Sequence, residues 1–204
     1  EGTRMKFGVG QPVRRVEDQR LLTGTGRYTD DVSLPRQAHA FFLRSPHAHA
    51  KLEQVDASAA RAAPGVIGVV TGADLAAAGL GPVPCQVPLQ HRDGSPMMIP
   101  ERPAIAQRAV RFVGEIVALV VAESLAQAKD AAEQIIVEYD ERQAVTDMRD
   151  ALAPKAPRLW DSEKGNVALD WALGDEAATK RALAKAHRVV SLGLVNNRLV
   201  PTSL

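Results

Sequence analysis

The chain reads as an α/β (α+β) protein built from two strand, helix, strand units, and three observations carry that reading. Two short apolar runs rich in β-branched residues, Val66 to Thr71 and Ile116 to Ala122, have the length and composition of buried strands. Each is followed by a hydroxyl residue with an Asp or Gln three positions on, Thr71 with Asp74 and Ser124 with Gln127, the spacing at which a helix start is capped. Alanine dominates an apolar fraction of 46% that includes only 4% aromatic residues, so the core has to be packed from small side chains.

In chain order, the Gly-rich text from Lys6 to Ser33 shows neither helical nor strand period and reads as an extended amino-terminal arm with tight turns at Gly24 and Gly26. Gln37 to Arg44 and Lys51 to Asp56 read as strands, with Ser45-Pro46-His47 as the turn between them. Ala57 to Ala63 reads as a short helix that Pro64-Gly65 ends. The strand Val66 to Thr71 and a short Ala-rich helix reaching Gly79 complete the first unit.

The second unit runs through the strand Ile116 to Ala122, a helix Leu125 to Glu133 and a strand Ile135 to Tyr139. Leu125, Ala128 and Ala132 fall on one helix face, with Lys129, Asp130 and Glu133 on the other. Helical crossovers of this length predict parallel neighbouring strands. Between the units, residues 81 to 103 hold six of the thirteen prolines and read as a surface excursion. The text from about Asp140 to Gly174 is irregular and reads as a linker docked through Trp160 and Trp171. A last helix from Asp175 and an alternating strand, His187 to Leu194, follow.

Charge and composition exclude several functions. With 25 basic and 24 acidic residues the net charge is +1, leaving no field for nucleic acid or an acidic membrane surface. The longest apolar run is too short to span a bilayer, and a cytoplasmic location is the simplest expectation. Cys85 is the only cysteine, so internal disulfides and cysteine-rich metal sites drop out. His47 and His49 form an HxH pair that could offer two imidazoles to a metal, yet no third ligand has suitable spacing, and histidines bonded to backbone are the plainer reading. Gly24-Thr25-Gly26 lacks the preceding strand and third glycine of a dinucleotide fingerprint. The pairs Asp30-Asp31 and Asp140-Glu141 read as solvated turns. Gly114, just ahead of a buried strand, permits close backbone approach, and Glu115 opens that strand at its exposed lip.

Several segments carry a more specific message. GVGQPVRRVEDQRLLTGTGRYTDDVSLP (Gly8 to Pro35), RSPHAHAKLEQVDASAARAAPGVIGVVTGADL (Arg44 to Leu75), VRFVGEIVALVVAESLAQAKDAAEQIIVEYDERQAV (Val110 to Val145), GNVALDWALGD (Gly165 to Asp175) and LVNNRLVP (Leu194 to Pro201) together resemble the amino-terminal part of the large subunit of molybdenum hydroxylases, the xanthine dehydrogenase, aldehyde oxidase and carbon monoxide dehydrogenase family. Gln19 stands where that family usually has proline, and Ile116 replaces the proline often found after its Gly-Glu pair.

The resemblance implies an arm over residues 1–17, an a/b hammerhead domain over 18–145, a linker over 146–174 and, over 175–204, the start of a molybdenum-cofactor-binding domain. It implies an oxidoreductase that hydroxylates an aldehyde, purine or other N-heterocycle with water as oxygen donor. Such an enzyme uses molybdenum-molybdopterin in the rest of the large subunit, with iron-sulfur and FAD in partner subunits or domains. No catalytic, cofactor-binding or metal-binding residue is expected within this stretch. The candidates for an interface are Arg44, His47, Gly114 and Glu115. The competing reading is a self-standing, non-enzymatic binding or assembly module with the same fold. An apolar carboxyl-terminal tail without a sheet to join also predicts a homo-oligomer.

Overall fold

The computed structural model describes residues 15–194, which fall into two compact units, one of Ala38–Val190 and the other of residues 15–37 and 191–194. In the arm the text read as extended holds a helix, α1 (Asp18–Leu22), followed by a single 3-10 turn at Thr29–Asp31. Five residues are too few to display a period. The helix is held locally instead, by Arg15–Asp18 and Arg20–Glu17 ion pairs at 2.9 Å and by Thr25 and Gly26, whose N–H groups donate to the Arg20 carbonyl. The expected turn at Gly24 is present, with φ at +72°.

The larger unit contains β1 (His39–Arg44), β2 (Ala50–Asp56), α2 (Ser58–Ala62), β3 (Val66–Thr71), α3 (Gly72–Ala77), β4 (Ala109–Val110), β5 (Ile116–Ala122), α4 (Leu125–Ala132), β6 (Ile136–Glu141) and α5 (Glu176–Lys185). The strands form two three-stranded sheets, ordered β1-β5-β3 and β4-β2-β6. Every pairing is antiparallel, against the parallel neighbours expected. The reason is that both crossovers change sheets: α2 carries the chain from β2 to β3, and α4 carries it from β5 to β6. The parallel rule holds only when a helix returns the chain to the sheet it left.

Both helix starts form as their spacing requires. The Thr71 hydroxyl accepts from the Asp74 N–H, while the Asp74 carboxylate takes the Thr71 N–H and hydroxyl at 2.7 Å; the Ser124 hydroxyl accepts from the Gln127 N–H. Of the ten buried residues where α2 and α4 meet the first sheet, seven are alanines, among them Ala60, Ala118, Ala122, Ala128 and Ala132. Small residues let the helix lie close on the strands, so a larger side chain there has to displace its neighbours. Leu125 departs from its expected place: it is 44% exposed, and Ala131 takes the inward position.

Two further expectations fail. Residues 187–194 form no strand, and Val189, Val190, Leu192 and Leu194 are exposed. Alternation supplies a face, but a strand also needs a neighbour to receive its hydrogen bonds, and none pairs with it among the described residues. The irregular text after Asp140 docks through Trp160, whereas Trp171 is 58% exposed. Near Trp171 the contact is polar: the Asp170 N–H donates to His91 Nδ1, the Arg92 N–H to the Asp170 carbonyl and the Met98 N–H to the Ala168 carbonyl, joining this segment to the proline-rich excursion.

Candidate functional site

The chain also passes between the two sheets without a helix at two places, residues 45–49 (β1 to β2) and 111–115 (β4 to β5), and these two connections lie side by side. Ser45 joins them. It is buried; its N–H donates to the Glu115 carbonyl and its carbonyl accepts from the Gly114 N–H, both at 2.8 Å. Its hydroxyl accepts the His47 N–H at 3.0 Å. The expected turn at 45–47 is therefore a bridge between sheets rather than the bend of a hairpin.

Three of the four candidate residues meet at this seam. Arg44 Nη1 donates to the Gly114 carbonyl at 2.8 Å, and its guanidinium lies over the Phe42 ring. Gly114 has φ at +91°, a left-handed conformation that a side chain strains. Nothing lies within 4 Å of the position a Cβ would take, so the glycine serves the turn and not the close approach its sequence position suggested. That close approach occurs at Gly72, where an added Cβ would collide with the Ala106 carbonyl oxygen. The Glu115 carboxylate accepts the Arg111 N–H. Burial pushes its pKa above the usual carboxylate value, against the opposing pull of that hydrogen bond and of the Arg111 charge.

His47, the fourth candidate, is linked to the seam through its own N–H to Ser45. Its ring packs at 4.5 Å on Tyr139, and Nδ1 lies 3.4 Å from Glu141 Oε1. Burial raises the Tyr139 hydroxyl's pKa, with the Ser45 hydroxyl acting the other way. His49 is buried, with Nδ1 3.0 Å from the Gln143 carbonyl oxygen. The two imidazoles of the HxH pair are thus engaged by different groups. Among the described residues, no three His, Cys, Asp or Glu side chains are grouped to hold a metal ion.

Sequence reasoning passed over Ser45, Tyr139 and Arg111. The Arg111 guanidinium lies 5.1 Å from the centre of the Trp160 ring and donates through Nε to the Leu159 carbonyl, fastening the irregular segment to the sheets. Burial lowers its pKa, the first of several influences that include the neighbouring Glu115. Position alone could have suggested it, since it precedes the Gly114 turn by three residues. A cleft of about 610 Å³ opens beside it, lined among others by Lys51, Arg108, Arg142 and Trp160. Among the described residues, no helix is long and apolar enough to cross a membrane.

This architecture matches known proteins. The family model described as aldehyde oxidase and xanthine dehydrogenase, a/b hammerhead domain, matches residues 23–143. The carbon monoxide dehydrogenase large chain of Afipia carboxidovorans is 34% identical across 97% of this chain and 24% of its own length. The nicotine 6-hydroxylase large subunit of Paenarthrobacter nicotinovorans is 41% identical across 71% of this chain and 17% of its own. The crystal structure of quinoline 2-oxidoreductase from Pseudomonas putida 86 superposes with a TM-score of 0.64 at 43% identity, covering 80% of this chain and 20% of that one. The chain spans a quarter or less of the length of these relatives. With more than half of its residues matched by one family model, the chain belongs to the aldehyde oxidase and xanthine dehydrogenase family through its a/b hammerhead domain.

Proposed function

We propose that this chain is the amino-terminal part of the large subunit of a molybdenum hydroxylase, an oxidoreductase that hydroxylates an aldehyde, a purine or another N-heterocycle with oxygen from water. The observation that carries the reading is the alignment of nearly the whole chain with a carbon monoxide dehydrogenase large chain at 34% identity. In this reading molybdenum-molybdopterin, which supplies the hydroxylation chemistry when bound, is held by the rest of the large subunit. Iron-sulfur and FAD groups belong to partner subunits or domains. The enzyme works in the cytoplasm, where a lone unpaired Cys85 is at home.

The stretch 18–145 acts as the scaffold, 146–174 as the linker and 175–204 as the lead into the cofactor-binding domain. The seam formed by Arg44, Gly114 and Glu115, with His47 beside it, is the face offered to the rest of the enzyme. Two backbone hydrogen bonds of Ser45 hold the centre of this seam and the side chains of Arg44, Ser45 and Glu115 reinforce it, which suits a surface that must keep its shape under a partner.

The test is to purify from its native host the complete product of the reading frame that encodes residues 1–204. An enzyme that contains molybdenum and pterin and places oxygen from labelled water into its product is expected. A 204-residue product with neither group attached would overturn the reading in favour of an assembly module.

A further inference from the structure

The register of the second sheet gathers cations at one of its ends. Ala50 of β2 lies opposite Val110 of β4 on one side and Glu141 of β6 on the other. The next residue after each of those strands, Arg111 and Arg142, therefore emerges at the same end of the sheet, at the level of His49, with Lys51 two positions along β2. The two arginines and Lys51 line the 610 Å³ cleft, together with Arg108 and Trp160 and with the carboxylates of Glu101, Asp161 and Glu163, and the cleft has the size of a small-molecule site.

The donors of this cleft are incompletely used. Arg108 has a partner in Glu101 at 3.5 Å and Arg142 in Asp161 at 3.3 Å, both loose and exposed pairs, while Lys51 reaches Glu53. Arg111 is different. Its Nε and Nη1 donate only to the carbonyls of Leu159 and Ala109, the second at 3.4 Å, and among the described residues no carboxylate comes within ion-pair distance of it. The Trp160 indole beneath it has a buried Nε1–H with no acceptor. That N–H is sealed from the cleft, whereas Arg111 Nη2 has no acceptor among the described residues, so the open donors at the cleft are those of the guanidinium.

We propose that this cleft binds an oxyanion, a phosphate or carboxylate group, held by Arg111, which stacks on Trp160, with Arg142 and Lys51 closing over it. The chemistry selects the class. A guanidinium fork pairs with two oxygens at once and has no acceptor to offer a cation. Aliphatic lining from Pro100 and Pro103 leaves space for an organic remainder on the anion.

The experiment uses the full chain, isotope-labelled and carrying Trp171→Phe, so that Trp160 supplies the single indole N–H resonance. It is titrated with inorganic phosphate and, separately, with malonate, at ionic strength held constant with sodium chloride. The expected result is a saturable shift of the Trp160 resonance with at least one of the two, phosphate or carboxylate being distinguished by which binds more tightly. Lys51→Gln combined with Arg142→Gln, which leaves the Arg111–Trp160 contact in place, should weaken binding about tenfold, equivalent to about 1.4 kcal/mol. A resonance that moves no further than in chloride alone, or a double variant that binds as tightly as the parent, would overturn the proposal.

Discussion

The layer where α2 and α4 lie on the first sheet and the seam where residues 45–49 and 111–115 pass between sheets hold the same unit together by opposite means. In the layer, cohesion is apolar contact among alanines and valines, spread over many side chains and dependent on volume. At the seam, cohesion is a few hydrogen bonds converging on Ser45, dependent on backbone geometry. The difference teaches where each region is vulnerable: the layer to any gain in size, the seam to any change in dihedral angle.

Enlarging the layer should produce the largest effect. Ala128 is fully buried on α4 in the cluster that packs on the first sheet, so Ala128→Leu has to displace its neighbours and we expect about 3 kcal/mol of destabilisation from overpacking. Urea unfolding followed by far-UV circular dichroism measures it. A loss below half of that would mean that the helix can lift from the sheet, and the contrast with the seam would weaken.

At the seam the corresponding change is Gly114→Val. There is ample room for the side chain, so any cost comes from holding a β-branched residue at positive φ, about 2 kcal/mol. Gly114→Ala should cost about half as much, because alanine tolerates the left-handed region better. The same unfolding experiment checks both. Equal melting of the valine variant and the parent would show that the turn can relax into another conformation.

Glu115 sharpens the comparison through pH. Its pKa in the folded protein is raised by burial, so the folded state holds the proton more tightly than the unfolded chain does. The resulting stabilisation is complete below the unfolded-state pKa, near 4, and is lost as pH rises through the folded-state value. Glu115→Gln removes this dependence while keeping an oxygen for the Arg111 N–H. Relative to the parent, the variant should therefore gain stability between pH 4 and pH 7, which thermal melts across that range would detect. Asp74 has the opposite sign: its bonds to Thr71 lower its pKa, so its contribution is present above about pH 4 and fades as acid protonates it.

What the sequence disclosed follows from the range of each interaction. Val66 to Thr71, Ile116 to Ala122 and both capped helix starts are local patterns, and the structure reproduces them. The direction of strand pairing is not local, because a crossover helix reads the same whether it returns to its own sheet or changes to the other. Gly114 and Gly72 illustrate the same limit. One glycine needs its conformation and the other its emptiness, and only the position of Ala106 tells them apart. The Ser45 bridge was equally hidden, since Ser-Pro-His reads as any turn until Glu115, seventy residues on, lies beside it. Gly114 stood out by its place ahead of a buried strand and Arg44 beside the family text, yet neither showed that the Arg44 side chain bonds to the Gly114 carbonyl.

The smallest effect on stability, and the last test, belongs to residues 187–194, which among the described residues use neither means of cohesion. Val189, Val190, Leu192 and Leu194 are all exposed, and residues 187–194 have no strand partner among the described residues. Exposed β-branched residues beside unpaired backbone groups recruit other chains, so the 204-residue chain should self-associate with rising concentration. Because these residues bury almost nothing in the monomer, a chain ending at Gly174 should keep the parent's unfolding free energy within about 0.5 kcal/mol while remaining monomeric. Sedimentation velocity on both chains separates the outcomes. If both sediment as monomers at every concentration, the alternation at 187–194 is no more an interface than it is a strand. If the shorter chain unfolds more easily, α5 and the tail support the layer in a way that their exposure conceals.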